Sequence, residues 1–583
     1  MTAAATPPNP DRLSLRWILK ALIDDGRILP AQAAQAESRA QGRDAHPILQ
    51  AASAELEDQT VSGQTLDAEK ITEWLANRVG MRYQRIDPLQ LDPTATAGAL
   101  NYAYARNAGL LVLRRGKDTA TIACSDPFDQ GWAQELERSH QLQVQAVLSN
   151  PADIQRFLLE FHSLARASKT TNQRKGGAQV LENLMRIGRR DNLDEEDHHV
   201  IGVVDWLLQY AFENRASDIH MEPRRGLGRI RLRIDGELHE IYQLPDNVFA
   251  AVCSRLKILA GCNLVERRRP QDGRIKSVSP EGREVELRLS TLPTAFGEKL
   301  VLRIFDPGLV IQGMGELGLD TEQLQSWEGL CSAPHGLVLV TGPTGSGKTT
   351  TLYSTLRALS SPRRNICTVE DPIELIEPRI NQTQVNPQVG LEFADGLRAL
   401  LRQDPDIIMV GEIRDRETAE VALQAALTGH LVLATLHTNT AVGAVVRLLE
   451  LGAPAYLLRA TLLGVLAQRL VRKLCKHCKK PLSDETIPAR WSILDVPLPA
   501  PKTVHSSVGC LECRETGYYG RMGLYEVLVA EKNFRSAIRE SAEIGTLEQA
   551  ARDSGVRSLR HAGAVAVQSG HTSLDEVMHH LLF

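Results

Sequence analysis

The chain of 583 residues contains nine cysteines, too few for a disulfide framework at this length, so its stability must come from packed cores. It has no excess of one charge. The balance of 67 Lys and Arg against 71 Asp and Glu gives a formal net charge of -4, which excludes wholesale electrostatic binding of nucleic acid and leaves only local basic patches. The opening MTAAATPPNPDR lacks a basic stretch followed by an apolar one, so no secretory signal is expected. The longest segment without Asp, Glu, Lys or Arg, Val421 to Val446, has the length of a membrane span. Gln424, Thr428, Gly429, His430, Thr435, His437, Thr438, Asn439 and Thr440 interrupt it, and a cytoplasmic protein with peripheral membrane contact is expected. No solenoid-type repeat is visible, and the length corresponds to about three to five domains.

What is present is a complete phosphate loop. Residues 342–349 read Gly-Pro-Thr-Gly-Ser-Gly-Lys-Thr, directly after the apolar run Gly336 to Val340 and before a helix-compatible TTTLYSTLRAL. This pattern predicts ATP binding: backbone N–H groups of Gly342, Pro343, Thr344, Gly345, Ser346, Gly347, Lys348, Thr349 and Thr350, proline excepted, surround a phosphate. Lys348 reaches the β/γ oxygens and Thr349 ligates Mg²⁺. A helix starting near Lys348 adds the positive end of its dipole.

The surrounding chain divides by composition. Residues 1–60 read as a helical segment, with Leu15, Ile18, Leu19 and Leu22 at helical spacing, and 61–165 as a compact α/β module. Residues 166–199 are polar and charged and read as a linker. Residues 200–310 combine a helix with strands, and 311–583 alternate strands and helices as in a parallel sheet wrapped by helices. In the strands around Arg231, Arg233 and Arg288 the arginines alternate with apolar residues and so line one face. That stripe, with Arg274, is either solvated or presents positive charge to a phosphate across a domain or subunit boundary.

Two further apolar runs end in acid, Asn365 to Val369 before Glu370-Asp371 and Asp406 to Val410 before Gly411-Glu412. Ligands of open α/β sheets bind beyond the carboxyl ends of strands. Glu412 is expected to activate water, with Glu370 as the supporting carboxylate, because Gly411 stands where a metal-holding Asp is usual. Either acid has the alternative of capping a helix. His430 and His437 bracket a third strand and are candidates for sensing the γ-phosphate or a neighbouring subunit. Arg398 and Arg402 share a helix face, solvated or at an interface. Cys475, Cys478, Cys510 and Cys513 form two Cys-x-x-Cys pairs suited to a structural, four-thiolate Zn²⁺, with VPLPAP between them looping out; a nucleic-acid-binding zinc module is the rival reading. Cys124, Cys253, Cys262, Cys331 and Cys367 are expected to be small core residues.

In order along the chain, ASDIHMEP (216–223), RLRIDG (231–236), RRPQDGRI (268–275), LRLSTLPTAFGEKLVLRI (287–304), GPTGSGKTTTLY, TVEDPIE, LRQDPDIIMVGEIRDRETA and ALTGHLVLATLHTN resemble the secretion ATPases of the type II secretion and type IV pilus assembly superfamily. CKHC with GCLECRETGYYGRMGLYEVL resembles the tetracysteine insertion of its extension and export branch. The resemblance implies an α/β fold: a RecA-like P-loop motor domain with zinc insertion 471–525, a preceding α+β (PAS-like) domain, and an N-terminal α/β module that docks an adaptor. It implies a homohexameric ATPase in which arginines such as Arg231, Arg233, Arg274 and Arg288 close on nucleotide. The motor would act on an inner-membrane platform protein and the cytoplasmic portion of an adaptor, assembling pilins or pseudopilins. Some members bind cyclic di-GMP through tandem helical motifs, but Lys20-Ala21 stand where Leu-Gly is expected, which speaks against that ligand. A nucleotide-binding scaffold with little turnover and a nucleic-acid motor are the alternatives; neither a broken catalytic set nor a basic composition supports them.

Overall fold

The computed structural model describes residues 12–40, 45–60, 65–86, 100–159 (except 117, 130 and 141), 198–279, 282–305 and 313–581. Most of the expected linker, residues 166–197, lies outside the described residues.

Four helices, Leu15–Asp24, Pro30–Ala40, Pro47–Ala52 and Ala68–Val79, lie against a small sheet of β1 (Leu110–Arg115), β2 (Thr119–Cys124) and β3 (Gln143–Leu148). Ile18, Leu22 and Ile48 share one buried core with Ile71, Leu75, Val112 and Ile122, so the described residues between 12 and 60 pack with the module that follows them. The amphipathic spacing seen in the sequence is what turns these side chains onto one side.

The second unit is an antiparallel sheet of β4 (Ala216–Arg224), β5 (Leu227–Ile234), β6 (Glu237–Pro245), β7 (Gln271–Val278), β8 (Glu284–Thr294) and β9 (Gly297–Phe305), in the order β6-β5-β4-β9-β8-β7. Helices His198–Glu213 and Asp246–Leu259 cover it. Strand β5 alternates strictly, with Ile230, Leu232 and Ile234 buried and Arg229, Arg231 and Arg233 on the other face. Gly228 lets the second helix approach closely, because a Cβ there would lie 1.9 Å from the Phe249 ring.

The third unit has a seven-stranded sheet. Its strands are β10 (Gly336–Thr341), β11 (Ile366–Glu370), β12 (Asn381–Gln384), β13 (Ile407–Val410), β14 (Leu431–Leu436), β15 (Leu462–Leu474) and, after the insertion strands β16 (Lys480–Leu482) and β17 (Val504–Ser506), β18 (Tyr518–Val529). They run in the order β12-β11-β13-β14-β10-β15-β18, parallel except for β18, which pairs antiparallel with β15. The phosphate-loop strand sits between β14 and β15, the RecA-like arrangement. All six residues of β10 are buried, as a parallel strand covered on both faces requires. Leu337 and Leu339 enter the core on one side of the sheet, Val338 and Val340 the core on the other.

The insertion between β15 and β18 corrects one expectation. VPLPAP does not loop out: Leu498 packs beside Trp491, whose indole N–H donates to the Leu498 carbonyl at 2.9 Å, and Gln568 donates to Pro499 O at 3.0 Å. The physical reason is the apolar set Ile487, Trp491, Leu494 and Val504, which joins Val567, Leu574 and Val577 of the last two helices in one small core. The same helices are tied to β15 by a buried pair. Glu576, 2 % exposed, accepts hydrogen bonds from the Arg472 guanidinium at 2.5–3.0 Å and from its backbone N–H at 2.9 Å. Burial alone would raise this carboxyl, but donors on His580 and Arg472 hold it at about 2. Its contribution to stability is therefore full above the ordinary carboxylate range and is lost as pH falls through about 2. Glu576→Gln should destabilise the C-terminal helices by roughly 3 kcal/mol near neutral pH. Thermal melting should show a gap to the parent protein that narrows steadily in acid.

Candidate functional site

The phosphate loop leaves the carboxyl end of β10 and turns at glycines with backbone angles that a side chain rarely adopts. Gly345 and Gly347 have φ of 78° and 89°. A Cβ at Gly342 would lie 2.5 Å from both Gln468 O and Ser346 Oγ, so only glycine fits under the turn. Helix Lys348–Leu359 begins at the lysine, as the sequence predicts. Ser346 is 3 % exposed, and its hydroxyl has no hydrogen-bond partner among the described residues. A buried, unpaired hydroxyl inside a turn of N–H groups is a fit for phosphate oxygens. Lys348 Nζ donates to the carbonyls of Gly342 at 2.7 Å and Pro343 at 3.1 Å. Burial, reinforced by the Arg469 guanidinium, pushes this ammonium down to about 8. Thr349 and Thr350 follow in the first helical turn, half-buried.

Glu370 and Glu412 close the neighbouring strands. Glu370 is 4 % exposed and carries donors on both oxygens, Tyr353 at 2.7 Å on one, Thr368 at 2.7 Å and Gln382 at 3.1 Å on the other. It caps no helix. Glu412 pairs with Arg414 on one oxygen and lies 3.2 Å from His437 Nε2 with the other. Arg414 also stands 3.9 Å from Asp371. Burial, then Lys348 and Arg414, lower the His437 imidazole, so near neutral pH it stands beside Glu412 uncharged. The preceding Gly411 has its own cause: a Cβ would lie 3.2 Å from Val369 O and 3.3 Å from Glu370 Cα, leaving little room for the aspartate usual there.

The two histidines are not a pair. His437 follows the carboxyl end of β14, whereas His430 precedes its amino end, where its carbonyl accepts from Gly336 N at 3.0 Å and its ring contacts Ala425 O at 3.0 Å. One strand length, about 20 Å for six residues, separates it from the phosphate loop, which removes the γ-phosphate role considered for it. The arginines divide similarly. Arg231 and Arg229 bind Glu222 at 2.6 and 2.8 Å, with Lys299 at 3.3 Å, and Arg233 lies 3.6 Å from Asp218. These cations are partly matched within their own sheet. Arg274 is mostly exposed, 3.6 Å from Glu286. Arg288 crosses to the third unit, donating to Ile373 O at 2.6 Å, two residues past Asp371. Arg398 pairs with Glu417 at 2.5 Å on the exposed face of helix Phe393–Leu400, whereas Arg402 falls in the turn past the end of that helix, so the two do not share a helix face, and it donates to Arg398 O at 3.1 Å. Sequence reasoning missed Arg414 in the loop after Glu412, Tyr353 and Gln382 against Glu370, and Gln468 and Arg469 of β15, which stand around the site.

A family model described as type II/IV secretion system protein matches residues 194–579, and one described as MshEN domain matches residues 79–168. The chain belongs to the type II/IV secretion system protein family. It is 45 % identical over 575 residues to the type IV pilus assembly ATPase TfpB of Acinetobacter baylyi, covering 97 % of this chain and 98 % of that protein. It is 42 % identical over 492 residues to type II secretion system protein E of Pseudomonas aeruginosa, covering 83 % and 97 %. With the type IV pilus assembly ATPase PilB of the same organism it shares 36 % identity over 578 residues, covering 97 % and 99 %.

This family member carries a second site, at the far end of the β15–β18 ribbon. Cys475, Cys478, Cys510 and Cys513 place their sulfurs within 4.8 Å of one another, the one such cluster of metal-ligating side chains among the described residues. Three of the S–S separations are 3.9, 3.7 and 3.7 Å. A tetrahedron with Zn–S bonds of 2.3 Å has edges of about 3.8 Å, so the four thiols fit zinc. Backbone N–H groups of Gly509, Cys510 and Gly517 point at the sulfurs at 3.2–3.3 Å, which suits thiolates. The turn after Cys513 then contacts the other units: Arg514 donates to Tyr210 Oη at 2.6 Å and Asn214 Oδ1 at 2.9 Å, while Glu515 meets Tyr102 and Arg106, each at 2.6 Å. Metal analysis of the purified protein should find about one zinc per chain. Replacing Cys475 and Cys510 by Ser should remove it and lower the melting temperature; a metal-free parent with unchanged stability in the double variant would overturn the assignment.

Proposed function

We propose that this chain is an ATPase that hydrolyses ATP to drive assembly of a type II secretion pseudopilus or a type IV pilus, working as a homohexamer on the cytoplasmic side of the inner membrane. The observation that carries the reading is Glu412 at 3.2 Å from His437, beyond the carboxyl ends of β13 and β14, with the charge of Lys348 from the phosphate loop felt at His437. In this reading the 342–350 backbone and Lys348 hold the triphosphate, and Thr349 would hold a Mg²⁺ that would supply charge neutralisation to it. Glu412, oriented from both sides by Arg414 and His437, takes the proton of the attacking water. Glu370, locked by three donors, would be the carboxylate that supports the metal through water.

The closure of Arg288, Arg274, Arg231 and Arg233 on nucleotide belongs to the same proposal, and Arg288 stands nearest in chain contact to the acidic strand end. Arg398, Arg402 and His430 are assigned to subunit contacts, since their faces lie away from the phosphate loop. The partners are an inner-membrane platform protein and the cytoplasmic part of an adaptor docked by the N-terminal module. Among the described residues no helix is long and apolar enough to cross a membrane, which suits attachment through partners.

Glu412→Gln should lower kcat by roughly 100-fold or more while nucleotide still binds, and Lys348→Ala should lose nucleotide affinity itself. Phosphate release and fluorescent-nucleotide titration on the folded hexamer distinguish the two; full turnover in Glu412→Gln would overturn the base assignment.

A further inference from the structure

Gln468 lies in β15 with 1 % of its surface exposed, beneath the phosphate loop. Its Nε2 donates to the Ser346 carbonyl at 2.6 Å, and its Oε1 accepts from Thr351 Oγ1 at 2.8 Å. The two contacts fix its orientation, since only the amide nitrogen can donate to a carbonyl and only the amide oxygen can accept from the threonine. The Thr351 hydroxyl itself belongs to the helix that the loop opens. Gly342 and Gly347 provide the space: a Cβ on the first would lie 2.5 Å from Gln468 O, and one on the second 3.2 Å from Gln468 Nε2.

The consequence follows from the peptide bond. A planar trans peptide directs its C=O and the next residue's N–H to opposite sides. Drawing the Ser346 carbonyl down onto Gln468 therefore turns the Gly347 N–H up, away from β15 and into the turn where phosphate oxygens are held. Gly347, at φ 89°, has no side chain to set this orientation itself. We propose that Gln468 is a positioning residue that presets the phosphate loop for nucleotide, acting through the Ser346–Gly347 peptide and anchored by Thr351.

The assignment rests on the reading of 342–349 as a nucleotide site and is tested in the full chain with N-methylanthraniloyl-ADP as probe. Gln468→Glu keeps the acceptor for Thr351 but sets a carboxylate oxygen against the Ser346 carbonyl. It should raise the probe's Kd and the KM for ATP about tenfold, with kcat at saturating ATP within about twofold of the parent. Thr351→Val, which keeps shape and removes the anchor, should raise both about threefold and decides the matter if the first variant does not fold. A structural role alone would lower melting temperature or the active fraction without this split. Unchanged affinity in the folded variants, or a fall in kcat with KM constant, would overturn the proposal. Lys348→Ala separates the two readings: if it too binds probe as the parent does, the phosphate-loop reading fails; if it abolishes binding while the Gln468 and Thr351 variants bind normally, only the positioning role fails.

Discussion

The double pairing of β15, parallel to β10 on one side and antiparallel to β18 on the other, is the constraint on which the rest of the molecule depends. The first pairing sets Gln468 and Arg469 beside the phosphate loop. The second carries the ribbon outward until Leu474 meets Tyr518, where the two Cys-x-x-Cys segments come together. A single 13-residue strand thus links the phosphate loop to the four-cysteine knuckle, with one irregularity in its β18 pairing between Arg472 and Leu474. A buried group fastens the ribbon further: Glu526 of β18, opposite Ala467, accepts from the backbone N–H of Ala441 at 2.8 Å and of Leu559 at 3.3 Å, tying two helix starts to it. Burial raises this carboxyl, and those amides oppose the rise.

What was legible in the sequence was local. The phosphate loop, the helix at Lys348, the fully buried β10 and the arginine alternation in β5 each follow from neighbours within a few residues, where steric and periodic rules act directly. The four cysteines were legible for another reason, because paired thiolates at fixed spacing have few uses. What stayed hidden were contacts made across the chain. Gln468 is more than a hundred residues from Ser346, and nothing near it in sequence marks it as a loop support. VPLPAP reads as a loose connection until Trp491 and the last two helices supply a surface for it. His430 and His437 bracket one strand in the sequence, but which end of β14 lies beside the phosphate loop is decided by its parallel pairing with β10.

The second unit shows the same limit in electrostatic form. Alternation correctly places Arg229, Arg231 and Arg233 on one face, but their charge is partly answered by Glu222 and Asp218 from the adjacent strand. Glu222 is 2 % exposed; burial would raise its carboxyl, and the surrounding arginines and lysine hold it at about 2. The stripe is therefore a structured lattice of alternating charge. Arg288 differs because its guanidinium, stacked 4.3 Å from the Phe305 ring, reaches a backbone carbonyl of another unit.

The turn that follows Cys513 has a mechanical meaning. Arg514 and Glu515 both adopt left-handed backbone angles, 53° and 63°, and so project from the knuckle toward the two preceding units. Their contacts include hydrogen bonds, an ion pair and a guanidinium over an aromatic ring, and Arg215 stacks on Tyr519 nearby. Contacts of this kind exchange for water at about 1 kcal/mol each, whereas parting an apolar core costs far more. The knuckle thus meets the front of the molecule through contacts that part at little energetic cost, whereas its own shape, set by four cysteines that would close on zinc, does not depend on them.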